Sequence, residues 1–229
     1  RAICYCCAHA LDMARPSRGE EALRWQNRAS LLTPLAKAFS TDIGVEAASL
    51  GVQVHGGMGY IEETGAAALL RDARIAPIYE GTNGIQAIDL VMRKLPLEEG
   101  EHVHTYIDEL VAIAGSVRTS NLSGFGTTAD LLDRALEDLS EATRFIQDRL
   151  SAGETDAALA GATPYLRMMS LAAGGAYLAR GALADRGQDR VALCRFYAEN
   201  LLCDVAALRE RVLGGAASLG EAAGALLAS

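Results

Sequence analysis

Long apolar runs, aromatic side chains and prolines are what this sequence has least of, and each shortage narrows its class. No apolar stretch reaches the roughly 18–20 residues of a membrane-spanning helix, and no signal-peptide pattern stands at the front, so no membrane partner is expected. Aromatics make up 5% of the 229 residues and prolines number five. β-Branched residues are scarce beside Ala and Leu, which leaves little material for strands and few interruptions for helices. No Asn-Gly hairpin flanked by alternating strands appears. The fold class expected is all-α.

Cysteine patterns are equally sparse. Cys4, Cys6, Cys7, Cys194 and Cys203 include no repeated C-x-x-C pair with a His partner at zinc spacing, so no metal site is expected. The first three lie within one helical turn and point in different directions. They read as small apolar residues of a reducing, cytoplasmic protein. The first residue is Arg1 rather than Met, with a helical pattern already running there, which suggests a chain cut from a longer protein.

Charge is present but uneven. Residues 1–97 hold ten acids and ten bases, whereas residues 98–229 hold nineteen acids and eleven bases, so the whole net charge of −8 falls in the second part. An acidic surface repels phosphate backbones, and nucleic acid is not an expected partner.

Apolar spacing places helices along the chain. Ile3, Cys7, Ala10, Leu11 and Ala14 form a first stripe that stops before Pro16. A second helical stretch runs from about Glu20 to Val54, with Leu31, Leu35, Ala38, Phe39, Ile43 and Ala47 on one face and a kink or restart expected at Pro34. "QVHGGMGY" (residues 53 to 60) reads as non-helical, Thr64 as the cap of a short helix, and Thr82 as the cap of a helix reaching about Leu95. "PLEEGEH" (residues 96 to 102) reads as a linker. It divides residues 1–96, an antiparallel helical bundle, from residues 97–229, a second bundle-like domain. In the latter, helices are expected near 103–120, 126–151, 153–184 and 188–213, before a frayed Ala/Gly tail.

Two places break local rules. The glycine turn at 56–59 offers free backbone N–H groups and the Gln53 amide, suited to a pyrophosphate or another polar group, though a plain helix-to-helix turn has the same composition. It carries neither a Walker lysine nor a preceding strand. "IYEGT" puts Glu80 between an Ile-Tyr pair and a Gly-Thr turn. Wrapped by Pro77, Ile78 and Tyr79, such a carboxylate would be more basic, while the helix start ahead stabilises its anion; a balance of the two makes a usable general base. An exposed acid ahead of a helix has the same look. His102 and His104 read as incidental groups on a solvated segment, Glu62–Glu63 and Glu98–Glu99 as solvated or capping charges, and Arg71–Asp72 as ion-pairing residues.

Taken together, Q-x-x-G-G-x-G at 53–59, Arg71-Asp72 and I-Y-E-G-T at 78–82 resemble the C-terminal helical domain of the acyl-CoA dehydrogenase family. The likeness is continuous from about Leu31 to Leu95. The acidic region beyond resembles an extra C-terminal domain carried by one subgroup. The resemblance implies FAD as cofactor, an acyl-CoA substrate, an electron-transfer flavoprotein as partner and a homo-oligomer, dimer or tetramer. Glu80 matches the catalytic base that removes the α-proton, and its backbone N–H a donor to the thioester carbonyl. Tyr79 and Gly81 match the substrate channel. Gln53, Val54, His55, Gly56 and Gly57 match a segment touching the FAD of a neighbouring subunit, and Thr82 a second flavin contact. His55 is read as a spacer or hydrogen-bonding residue. Many relatives carry Gln where this chain has Gly84, with Gln86 a conceivable substitute. The resemblance further implies a fragment holding the last three bundle helices and the extra domain, inactive and flavin-free by itself. A non-catalytic flavoprotein-like module that binds DNA or protein is the alternative.

Overall fold

A computed structural model describes residues 1–185 and 187–227. Helices α1 (Ala2–Ala14) and α2 (Gly19–Pro34) form a hairpin around Pro16, with Gly19 at a positive φ of 58° turning the chain. Glu20 and Glu21 occupy the first turn of α2, where the helix dipole favours anions. Pro34 neither restarts nor sharply breaks the rod. Having no N–H to donate, it is followed by a π-helical turn, Leu35–Phe39, that passes directly into α3 (Ser40–Val54). The expected apolar stripe is buried as far as Ala38, after which Ile43 is half-buried and Ala47 exposed.

The chain then folds back along α3. The glycine-rich stretch contains a four-residue helix, α4 (Gly57–Tyr60), so helix is not excluded there. Thr64 does not cap α5 (Ala66–Ala73). Gly65, at φ 78°, takes the N-cap position, and the Thr64 hydroxyl donates backwards to the Met58 and Ile61 carbonyls. Thr82 does cap α6 (Asn83–Asp89), accepting from the Ile85 N–H at 3.4 Å, and a second π-helical turn, Leu90–Lys94, extends it.

Residues 96–102 form a tight joint rather than an open linker. Glu98, Glu99 and Gly100 adopt three consecutive left-handed conformations. The joint is stitched by Asn27 Nδ2 donating to Glu98 Oε1 (2.6 Å) and Gln147 Nε2 donating to the Gly100 carbonyl (3.1 Å). His102 is buried, 2% exposed, and His104 shares a 2.8 Å hydrogen bond with Gln147, so neither is an incidental solvated group. Helices α7 (Glu101–Thr119) and α8 (Thr128–Ser151) follow. The next two expected helices are each broken once. Gly161, packed against Val212, separates α9 (Thr155–Ala160) from α10 (Ala162–Asp185), and residues 201–203 separate α11 (Gln188–Asn200) from α12 (Asp204–Leu213). The Ala/Gly tail is not frayed but helical, as α13 (Ala217–Leu227), with no buried residue.

Helix α10 is the spine. It packs on α7, α8, α11 and α12 on one side and on α1, α6 and the Leu35–Phe39 turn on the other. One buried apolar cluster therefore runs from Ile3 to Val212. Its polar members are satisfied locally: Thr143 bonds the Tyr165 hydroxyl at 2.7 Å, and the Tyr106 and Tyr177 hydroxyls meet at 2.8 Å. Burial pushes the Tyr177 hydroxyl up to about 12.

A polar seam ties α2 to α7. Arg28 donates twice to Glu109, at 2.8 and 2.7 Å, and its guanidinium stacks 4.6 Å over the Tyr106 ring. Burial would raise the Glu109 carboxyl, but the bonds and charge of Arg28 outweigh it and hold it below its ordinary value. The cysteines are not uniformly apolar fillers. Cys7 and Cys194 are buried, Cys4 and Cys203 are exposed, and the Cys6 sulfur lies 3.0 Å from Arg180 Nη2.

Candidate active site

Glu80 lies at φ 54° and Gly81 at φ 84°, two consecutive left-handed residues. Glycine adopts this region freely, whereas for glutamate it costs about 1–2 kcal/mol, so neighbouring groups must hold the corner. Three local bonds do so. Gln86 Nε2 donates to the Glu80 carbonyl at 3.2 Å, the Asn83 N–H donates to the Pro77 carbonyl at 3.0 Å, and the Thr82 hydroxyl caps α6.

The remaining ties come from the rod formed by α2 and α3. Lys37, on the π-helical turn, donates from Nζ to the Gly81 carbonyl at 2.7 Å and to Asn83 Oδ1 at 2.9 Å. Asn83 Nδ2 in turn donates to the Ala38 carbonyl (3.1 Å), to Thr41 Oγ1 (3.0 Å) and to Asp42 Oδ1 (2.6 Å). Among the described residues, the backbone N–H groups of Glu80, Gly81 and Thr82 find no acceptor. Three adjacent donors are thus left without an acceptor at one corner, beside a carboxylate.

The apolar wrap expected around Glu80 is not made within this chain. Pro77 is buried, but Ile78 is 51% exposed, Tyr79 52%, and Glu80 itself is exposed. Ile85, on the first turn of α6, adds another exposed apolar side chain. An exposed acid, N–H groups without an acceptor and exposed apolar side chains thus adjoin one another at this corner.

The glycine turn lies elsewhere. It follows the far end of α3, and fifteen residues at about 1.5 Å each put roughly 22 Å of helix between it and the Lys37 turn that holds Glu80. Gln53, Val54, His55, Gly56 and Gly57 are all exposed, Val54 at 83%. The His55 ring bonds the Gly51 carbonyl at 2.8 Å, closing the end of α3. A side chain at Gly56 or Gly57 would meet only open space, so another molecule can approach the backbone closely there. At Gly59 the reason for glycine is packing, since a Cβ would fall 2.2 Å from the Val52 carbonyl oxygen. A cleft of about 570 Å³ opens beside the turn between Val52, Tyr60, Ile61 and Leu70, and on its lining Arg71 pairs with Glu62, tying α5 to the short helical turn Glu62–Thr64 before it.

The open backbone at Gly56 and Gly57 beside the exposed Gln53 amide is compatible with an edge contact to a group such as FAD. The Gln86 amide nitrogen is turned onto the Glu80 carbonyl at 3.2 Å. Among the described residues, no group of three or more His, Cys, Asp or Glu is placed to hold a metal ion.

Sequence reasoning brought out Glu80, Gly81 and Thr82 but missed Lys37, Thr41, Asp42 and Asn83. One signal was available: Lys37 is the only Lys or Arg between Arg28 and Arg71, and it stands in an otherwise apolar stretch.

Comparison with known proteins adds to the geometry. The family model described as "Acyl-CoA dehydrogenase, C-terminal domain" matches residues 1–95, and that described as "Acetyl-CoA dehydrogenase C-terminal like" matches residues 101–223. The chain is 36% identical over 226 residues to 3-methylmercaptopropionyl-CoA dehydrogenase of Ruegeria pomeroyi, covering 93% of this chain and 38% of that protein. It is 28% identical over 206 residues to a butyryl-CoA dehydrogenase of Syntrophomonas wolfei, covering 83% of this chain and 33% of that protein. The crystal structure of Caenorhabditis elegans ACDH-11 in complex with C11-CoA shares the fold with a TM-score of 0.74 at 22% identity, covering 88% of this chain and 33% of that one. This chain spans well under half the length of these relatives.

Proposed function

Because the chain belongs to the acyl-CoA dehydrogenase family, we propose that it supplies the C-terminal helical part of an FAD-dependent enzyme that oxidises an acyl-CoA to the trans-2-enoyl-CoA. The observation that carries this reading is the corner at Glu80, which brings together a left-handed carboxylate residue, backbone N–H groups without an acceptor among the described residues, and exposed Ile78, Tyr79 and Ile85.

In this reading the Glu80 carboxylate takes the α-proton of the thioester. The Glu80 N–H donates to the thioester carbonyl oxygen, where negative charge grows as that proton leaves, and a donor aimed at developing charge lowers the barrier. Tyr79 and Gly81 line the channel and exclude water from the reacting carbons. When bound, FAD supplies the acceptor for the β-hydrogen, which departs with its electron pair as the α,β double bond forms. Electrons pass on to an electron-transfer flavoprotein. Thr82 would hold the flavin beside Glu80, and Gln53 to Gly57 would hold the flavin of a neighbouring subunit. The separation along α3 supports that division, since one flavin does not readily meet two turns so far apart. The subgroup likeness favours a short or thioether acyl group. By itself the 229-residue chain is proposed to be inactive and flavin-free.

The test is the full-length enzyme that carries this chain, assayed against a panel of acyl-CoAs with Glu80→Gln as control. The amide keeps the shape and removes the basicity, so turnover is expected to fall roughly a thousandfold or more. Turnover unchanged in Glu80→Gln would sink the assignment.

A further inference from the structure

The Glu80 corner is strained, and its local bonds do not fix it relative to the rest of the fold. Gln86 and Thr82 belong to the same short loop and α6 segment, so they can move with the corner as one body. Two ties reach the rod of α2 and α3: the Asn83 side chain donates to the Ala38 carbonyl, Thr41 and Asp42, and Lys37, 44 residues away, bonds the Gly81 carbonyl itself at 2.7 Å. Gln86 fixes the carbonyl of Glu80 and Lys37 that of Gly81, so the two peptide planes that follow Glu80 are both held by side-chain donors.

Lys37 has no carboxylate partner within salt-bridge distance among the described residues, and its ammonium is spent on two neutral oxygens, those of Gly81 and Asn83. An ammonium–carbonyl bond is about twice as strong as a neutral one, enough to offset the cost of a left-handed glutamate. The π-helical turn after Pro34 accounts for its aim, because such a turn shifts the angular position of the residues it contains.

We propose that Lys37 is a positioning residue for the reaction: by locking the Gly81 carbonyl it holds the carboxylate and the N–H of Glu80 in one conformation that serves both thioester contacts. Gln86 acts with it on the preceding peptide. This inference rests on Glu80 being the base, and it adds a residue that touches neither substrate nor flavin.

The experiment uses the flavin-loaded full-length enzyme with Lys37→Met, Lys37→Arg, Gln86→Met and Glu80→Gln. Lys37→Met keeps the length and removes the donor. Its kcat is expected to fall about 10- to 100-fold, with KM for the acyl-CoA changed less than about threefold, since misplacement of the base acts on the chemical step. Lys37→Arg is expected to recover most of the loss. Within residues 79–83, hydrogen–deuterium exchange at the bonded amides of Tyr79 and Asn83 is expected to quicken in Lys37→Met while peptides of α8 and α10 stay as protected as before.

A Lys37→Met enzyme with unchanged kcat, or with loss only in proportion to unfolded protein and unchanged exchange at 79–83, overturns the proposal. Should Lys37→Met not fold, Gln86→Met carries the same expectations, and normal kcat with normal exchange there overturns it equally. The two layers stay distinguishable. An active Glu80→Gln defeats the base assignment, whereas an inactive Glu80→Gln beside a fully active Lys37→Met defeats the positioning role alone.

Discussion

Residues 1–95 and residues 101–213 are both helical, yet they use their apolar side chains in opposite ways. Helix α10 buries Tyr165, Met168, Met169, Leu171 and most of its remaining residues, and α7 and α8, both packed on it, bury Tyr106, Leu110, Leu132, Leu136, Leu139 and Ile146. Helices α3 and α5 bury none, and together with α4 they leave Leu50, Val54, Met58, Tyr60 and Leu69 in contact with solvent. The first part also carries no net charge, whereas the second carries the acidic excess. A stable core and a reactive surface are thus assigned to different stretches of one chain. The proposed site residues all fall where the chain buries least.

That contrast is open to attack at several places, and the largest effect lies in the chemistry. Glu80→Gln in the full-length enzyme is expected to cost roughly a thousandfold or more in turnover, and in the 229-residue chain, where the side chain is exposed and makes no bond among the described residues, to leave the melting temperature unchanged. A large drop in melting temperature would show that the first part is not free to carry function alone.

Next come the cores. Leu132→Ala removes a fully buried side chain from α8 and should cost about 2–5 kcal/mol in denaturant unfolding. Leu50→Ala, 59% exposed on α3, should stay within about 0.5 kcal/mol. Equal costs for the two would erase the distinction.

The seam between the parts is the third target. Arg28→Met strips Glu109 of its partner and Tyr106 of its stacked cation. Glu109 is half exposed, so water compensates part of the loss and the expected cost is about 1–2 kcal/mol. Circular dichroism melts of the two proteins measure it.

The smallest effect is acid sensitivity at the joint. Burial is the main cause that holds His102 neutral, below its ordinary value, with Arg28 acting the same way and Glu98 and Glu109 opposing. The unfolded chain therefore takes up this proton first, and stability falls as pH drops below about 6.5. Replacing His102 by Leu should flatten that fall, by roughly 1–3 °C in melting temperature between pH 7 and 5.5. Parallel pH curves for the two proteins would remove His102 from the account.

Much of the helical layout was legible in periodicity and punctuation. The stop before Pro16, the cap at Thr82 and the spans of α7 and α8 follow from spacing and end signals alone. What failed depends on which of two adjacent residues wins a position. Gly65 displaced Thr64 at an N-cap because its positive φ suits the turn from Ile61. Gly161 broke a helix because Val212 packs on it, a contact between residues far apart in sequence. The site shows the same limit. Glu80, Gly81 and Thr82 lie together in a readable string, while Lys37 and Asp42 reach the corner across more than forty residues. Periodicity carries no record of such pairings.

The straight run of α3 has one more consequence. Whatever meets the glycine turn and whatever meets Glu80 are indexed to each other by helical phase as well as by length. One residue inserted into α3 would swing the two ends by about 100° and lengthen the rod by about 1.5 Å, whereas seven would restore the angle to within about 20°. The rod is a keyed spacer, and its tolerance to insertion is periodic rather than graded.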